Sequence, residues 1–322
     1  MSKYTQLTLE QRYQIYAFYK AGFSKSDIAS EIGVHKSTIS REMKRNQGQK
    51  GYRPKQAHFL AVLRTKKAKK FVKMTPEIIR LIEGFLKQDF SPEQISGYLA
   101  RKHHIHISHE TIYQYVFADK ARGGHLYRHL RRGHKKYRKR YGSYDRRGKI
   151  QDRISIDERP SIVNTKKRIG DWEIDTIIGK MHKGVVLSIV ERKSKFTLIK
   201  KIPNKQADLV ANASVDLLSP YAEKVLTITA DNGQEFAHHK DIKEQLKADF
   251  YFAHPYHAWE RGLSENTNGL IRQYFPKGMN FHKITDKQVE MVIDRLNNRP
   301  RKSLGFKTPN EVFLPAISES AI

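Results

Sequence analysis

Near Ile169 the apolar rhythm of this chain changes from a helical period to short strand-like segments, and that change limits the folds open to it. Before it, apolar residues recur every three or four positions. After it, segments 171–178, 185–191 and 196–202 read as three strands, with Gly179 and Gly184 bracketing the first turn. A helix is predicted over 205–219, a strand over 225–229, and helices over 241–247, 259–274 and 286–298. Three antiparallel strands followed by alternating helices and strands describe a mixed α/β sheet with covering helices, placed behind an all-α front half.

Charge divides the chain in the same way. Residues 1–150 hold 34 basic and 11 acidic side chains, whereas 151–322 hold 27 and 22. A polyanion-binding front half joined to a more ordinary globular back half follows from that split. The absence of cysteine excludes a disulfide scaffold, a Cys-containing zinc finger, an iron–sulfur cluster and a thiol nucleophile. No signal peptide is apparent at the N-terminus, and the longest clean apolar run, residues 59–63, is far short of the ~18 needed to span a membrane. The expectation is a soluble, cytoplasmic, nucleoid-associated protein.

The front half reads as two three-helix modules. In the first, over 1–50, Leu9, Tyr13, Tyr16 and Phe18 define a leading helix, Ser24 can cap a second, and Gly33 marks the turn into a third. With Ile39 and Met43 on the core side, Ser37, Arg41, Lys44 and Arg45 turn outward, a set suited to base edges and phosphates in a major groove. Residues 51–73 read as a basic linker. The pattern returns over 74–121, with Phe90, Ser91 and Ile95 echoing Phe23, Ser24 and Ile28 at an offset of 67. There Ile112 and Val116 belong to the core and Gln114 faces outward, able to pair with adenine. The turn of this module carries His103, His104, His106 and His109, which without thiolates read as exposed turn residues rather than a zinc site. A second basic linker, 122–160, includes 128–140, where eight of thirteen residues are Lys or Arg.

The chemistry lies in the acids of the back half, 161–322. Asp175 stands in the first strand, Asp231 ends a buried strand, and Glu265 occupies the helix that begins near Trp259. With Leu263, Leu270 and Tyr274 taken as that helix's packed stripe, Glu265 falls on the opposite side beside Asn268 and Arg272. Such a polar face suits a site holding metal and phosphate together, and equally an ordinary solvated face. Carboxylates at adjacent strand ends, with one more from a nearby helix, are what two-metal phosphodiester chemistry requires of Mg²⁺ or Mn²⁺. Asp171 and Glu173 share the strand face of Asp175, so spacing leaves the choice among them open.

Three stretches carry a family resemblance: Gly170-Asp171-Trp172-Glu173-Ile174-Asp175, Asp231-Asn232-Gly233-Gln234-Glu235-Phe236, and residues 261–272 around Glu265. Together they resemble the DDE transposases and retroviral-type integrases, most closely the insertion-sequence-thirty family of bacterial transposases. The 33 residues between Asp231 and Glu265 match that family's spacing, and Arg299-Pro300-Arg301-Lys302-Ser303-Leu304 with Thr308-Pro309 resembles its C-terminal signature. The resemblance spans nearly the whole chain and implies an RNase H-like catalytic domain behind helix-turn-helix modules. It implies Asp175, Asp231 and Glu265 as catalytic metal ligands, with two Mg²⁺ or Mn²⁺ ions per site and Arg272 as a phosphate contact. The implied activity is binding of terminal inverted repeats, hydrolysis of a phosphodiester, and attack of the freed 3′-hydroxyl on target DNA. A homodimer or higher homo-oligomer on double-stranded DNA is the expected assembly. The competing reading is a sequence-specific DNA-binding regulator with a non-catalytic scaffold, which the presence of all three acids disfavours. A stand-alone nuclease leaves two DNA-reading modules unexplained.

Overall fold

The computed structural model describes residues 6–67, 74–131 and 150–318 apart from Tyr256. Contacts divide the chain after Lys73 into two compact units.

In the first unit, α1 (Leu9–Lys20), α2 (Lys25–Ile32) and α3 (Lys36–Asn46) follow the predicted helices. Thr8 and Ser24 open α1 and α2 with capping boxes to Gln11 and Asp27, which satisfy backbone N–H groups that a helix start leaves unpaired. Gly33 ends α2 at a φ of 72°, a left-handed conformation that glycine adopts at little cost. Ile15, Ile28, Ile39 and Met43 meet in the core. Across it a buried ion pair joins Arg12 Nε to Glu42 Oε1 at 2.7 Å, and the Tyr52 hydroxyl donates to the same carboxylate.

A fourth helix, α4 (Pro54–Lys67), occupies most of the stretch expected to be a basic linker. Its inner side is small, with Ala57 wholly buried in the core, while its lysines point outward, so its composition resembles that of a solvated tether. Arg64 Nη2 donates to the Arg45 carbonyl at 2.9 Å and to Asn46 Oδ1 at 2.7 Å. It thereby occupies the electronegative C-terminal end of α3.

The second unit begins with α5 (Pro76–Lys87), α6 (Pro92–His103) and α7 (His109–Ala121), close to the predicted bounds. Ile82, Leu86, Ile95, Leu99, Ile112 and Val116 form their shared core. Composition separates this module from the back half with a linker, whereas contacts join the two. The Asp89 carboxylate accepts from the Tyr274 hydroxyl at 3.0 Å and Arg295 Nη1 at 2.7 Å, and Arg101 Nη2 donates to both oxygens of Glu311 at 2.9 and 2.6 Å. Scattered polar residues build this seam, so no apolar run announces it. Of the basic stretch 128–140, residues 132–140 lie outside the described residues.

The short α8 (Ile162–Thr165) leads into a five-stranded sheet made of β1 (Asp171–Ile178), β2 (Val185–Glu191), β3 (Thr197–Ile202), β4 (Thr227–Ala230) and β5 (Asp249–Phe252). Its order is β3-β2-β1-β4-β5, antiparallel across β1, β2 and β3 and parallel from β1 through β4 to β5. That is the mixed sheet expected of an RNase H-like domain. One face, with Trp172 and Ile174, packs under α9 (Ala207–Leu218), α10 (His239–Leu246) and α13 (Pro309–Ser318). The other, with Ile177 and Val186, packs under α11 (Gly262–Tyr274) and α12 (Asp286–Asn297). Neither β5 nor α13 is legible in the sequence pattern. No helix among the described residues is long and apolar enough to cross a membrane.

Candidate active site

Parallel pairing brings the two aspartates together. Asp171, Trp172 and Glu173 on β1 lie opposite Thr227, Ile228 and Thr229 on β4. Carrying that register two residues further sets Asp175 opposite Asp231, at the end where β4 stops. The Arg261 guanidinium bridges them, with Nη1 3.5 Å from Asp175 Oδ2 and Nη2 3.3 Å from Asp231 Oδ2.

Helix α11 runs along the same face of β1. Two strand residues advance about 6.6 Å and four helix residues about 6 Å, so contacts repeat in step. Ser264 meets Glu173, Asn268 Nδ2 donates to Asp175 Oδ2 at 2.9 Å, and Arg272 Nη2 donates to the Ile178 carbonyl at 2.7 Å. The buried stripe of α11 is Ser264, Thr267, Leu270 and Ile271, in place of the expected Leu263, Leu270 and Tyr274. Small polar residues pack here because the strand opposite carries carboxylates. Glu265 lies exposed one position past Ser264, on the side of the helix that also carries Arg272.

Partners separate the three acids of β1. Asp171 is buried and held by Arg168 and the Thr227 hydroxyl. Glu173 is buried against Arg192 and the start of α11. Asp175 alone lies beside Asp231. Burial pushes its carboxyl up to about 6, opposed by Arg261 and reinforced by the nearby charges of Asp231 and Glu235. Its Oδ1 accepts the Thr176 N–H at 2.9 Å, and Asp231 Oδ1 accepts the Gly233 N–H at 2.9 Å. A Cβ on Gly233 would stand 2.5 Å from Glu235 Oε2, so any larger residue there would have to displace the Glu235 carboxylate. Glu235 accepts from the Thr176 hydroxyl at 2.9 Å.

Among the described residues no three His, Asp or Glu side chains already converge as a metal cluster. The structure thus pairs Asp175 with Asp231 and leaves Glu265 exposed on the neighbouring helix. Arg261 and Glu235 stand within the family-like stretches with no expected role, Glu173 is expected only as an alternative to Asp175, and Asn268 only as a neighbour of Glu265. Asn268 had a signal, since it shares a helix side with Glu265 three residues away. Arg272 rests on the Ile178 carbonyl and lies 5.3 Å from the centroid of the Phe281 ring, so its guanidinium is engaged inside the fold.

In the front half, Arg41, Lys44 and Arg45 are exposed on α3 and Gln114 is exposed on α7. Ser37 is half-buried, its hydroxyl 2.9 Å from His35 Nδ1 where that ring caps α3. Two arginines of the second basic linker are also placed. Arg131 Nη1 donates to Asn266 at 3.2 Å, next to Glu265, and Arg153 Nη1 donates to Asn232 at 2.5 Å, next to Asp231.

Residues 3–46 match a family described as a helix-turn-helix domain. Over its whole length the chain is 46% identical to the transposase for insertion sequence element IS4351 of Bacteroides fragilis, covering 99% of that protein. It is 36% identical to transposase InsI for insertion sequence element IS30A of Escherichia coli (strain K12), over 95% of this chain and 83% of that one. Among solved structures, the catalytic core domain of BIV integrase aligns with 48% of this chain and all of its own at 21% identity and a TM-score of 0.39. Identity of 46% and 36% to these transposases, over 95% or more of the chain, places it in the IS30 family of insertion-sequence transposases.

Proposed function

We propose that this transposase is a DDE enzyme which binds the terminal inverted repeats of its own element, cleaves a phosphodiester there and joins the freed 3′-hydroxyl to target DNA. The observation that carries the reading is the pairing of Asp175, within β1, and Asp231, just past the end of the parallel β4, around one shared cation, the Arg261 guanidinium. Two hard carboxylates converging on a single positive charge suit Mg²⁺ or Mn²⁺. Asp175, Asp231 and Glu265 are the residues that would hold such ions. When bound, the ions supply activation of the attacking oxygen and charge stabilisation of the leaving one.

The chain's own groups prepare that site. Asn268 and the Thr176 N–H fix the two oxygens of Asp175, and the Gly233 N–H fixes Asp231. The helix-turn-helix supplies DNA binding, with Arg41 and Lys44 on its exposed third helix and Gln114 on α7 as further contacts. Arg272 is kept only as a phosphate contact that would have to leave the Ile178 carbonyl. A homo-oligomer assembled on two element ends completes the reading.

A duplex carrying the inverted repeat that flanks the coding gene tests it. The chain should nick that duplex and join it to a second one with Mg²⁺ or Mn²⁺ and do neither in EDTA. Binding without any cleavage would favour the regulator reading, and cleavage that persists in EDTA would overturn the metal-dependent mechanism.

The eight Lys and Arg residues of 128–140 support a phosphate-tracking role for that stretch. Lys and Arg neutralise backbone charge at any base order. Neutralising half of those charges should weaken specific and random duplexes by similar factors and flatten the salt dependence. A loss confined to the specific site would contradict that role.

A further inference from the structure

We infer that the seam between α3 and α4 is a binding groove for backbone phosphates of duplex DNA, extending the DNA-binding surface of the first unit beyond the helix-turn-helix itself. The inference rests on the DNA-binding reading above and names the part of the surface that takes the phosphate. The groove is lined by Gln6, Thr38, Arg41, Arg45, Arg64 and Thr65, with Arg12 and Glu42 at its floor.

Its charge is one-sided. Four guanidinium groups face it, and the single carboxylate, Glu42, is already held by Arg12 and Tyr52. Arg41 and Arg45, one turn apart on α3, are exposed, and neither guanidinium has a protein acceptor among the described residues. Arg64 spends only Nη2 on the end of α3, which leaves Nε and Nη1 without an acceptor. A helix cap needs one donor, so capping does not account for a whole guanidinium fixed beside two others.

Shape decides between base and phosphate. Base edges are read by a convex helix surface entering a groove of the duplex, whereas a concave basic seam receives a group that protrudes, as a backbone phosphate does. Guanidinium forks match phosphate oxygens in pairs, and the Thr38 hydroxyl adds a neutral donor. Helix α4 lies outside the matched segment 3–46, so one wall of the groove, Ala61, Arg64 and Thr65, comes from beyond the helix-turn-helix.

The test uses the full chain and fluorescence anisotropy with a random-sequence duplex and an element-end duplex across a salt series. Thr65→Glu puts a carboxylate on the groove's rim at an exposed position. Phe59→Glu makes the same charge change at an exposed position about 240° around α4. Thr65→Glu should weaken both duplexes by roughly tenfold and lower the salt slope by about one, the signature of one lost phosphate contact. Phe59→Glu should change affinity by no more than about twofold, the residual effect of net charge alone. Arg45→Gln touches no protein group and should reproduce the loss without adding a carboxylate. Equal effects of the two glutamates, or an unchanged salt slope in Arg45→Gln, would overturn the groove while leaving DNA binding intact. Failure of the wild-type chain to bind either duplex would overturn both readings.

Discussion

Asp175→Asn, Asp231→Asn and Glu265→Gln each lower cleavage by roughly three decades or more, about 4 kcal/mol of barrier, while element ends are still bound with near wild-type affinity. Each amide preserves shape but removes the charge that retains a hard cation, and at position 175 it also turns one of two accepting oxygens into a donor. The aspartates differ from Glu265 in what else they lose. Asp175 and Asp231 share the Arg261 guanidinium, so an asparagine at either position leaves that cation with one carboxylate and relieves one like-charge contact. Their melting temperatures without metal therefore stay close to wild type. Glu265 is exposed and its amide is silent in stability. Gel-resolved cleavage with anisotropy on the same preparations checks the set. Wild-type cleavage by any one variant removes that residue from the site, and loss of binding in step with cleavage shows folding damage instead.

The long, regular elements were legible in the sequence because their patterns are strong. The bounds of β1 follow from alternation and those of β2 from a short apolar run after Gly184, and Ser24 and Gly33 mark the limits of α2. What escaped had a weak or masked signal. In α4 the wholly buried side chain is an alanine among lysines, and α13 carries Pro315 inside it. In β5 there are only four residues, and its exposed Asp249 breaks the apolar run. The seam that joins α5–α7 to the catalytic half is polar and discontinuous, so composition reads a linker where contacts make one unit. The site was legible as three acids and not as a geometry. Period two places Asp171, Glu173 and Asp175 on one face, and only their partners distinguish them. Arg261 and Glu173 come from segments remote from the residues they serve, and spacing carries no record of such convergence.

Glu173 is where that hidden convergence has its largest consequence. Helix α11 begins without a side-chain cap of its own, since Arg261 at its N-cap makes no such bond. The missing acceptor comes from another strand: Glu173 Oε2 accepts the Ser264 N–H at 2.9 Å and its hydroxyl at 3.0 Å. Its charge also complements the positive end of the helix dipole. The other oxygen takes Arg192 Nη1 at 2.5 Å, and both residues are almost wholly buried. Glu173→Ala leaves the Arg192 guanidinium buried without its counter-charge, a defect that costs about 3–5 kcal/mol. A marked fall in the urea midpoint of the second unit is the expected result. Glu173→Gln separates anchoring from folding, because the amide can still accept from Ser264 while it weakens the hold on Arg192 and on the helix dipole. At a temperature where Glu173→Gln is fully folded, α11 is less firmly seated, and Glu265, the residue after Ser264, is positioned less well. Cleavage then falls while end binding persists, a split that a purely structural role would not produce. If Glu173→Gln melts and cleaves as wild type does, the charge on this carboxylate does not seat the helix, and α11 owes its position to the packing of Leu270 and Ile271 alone.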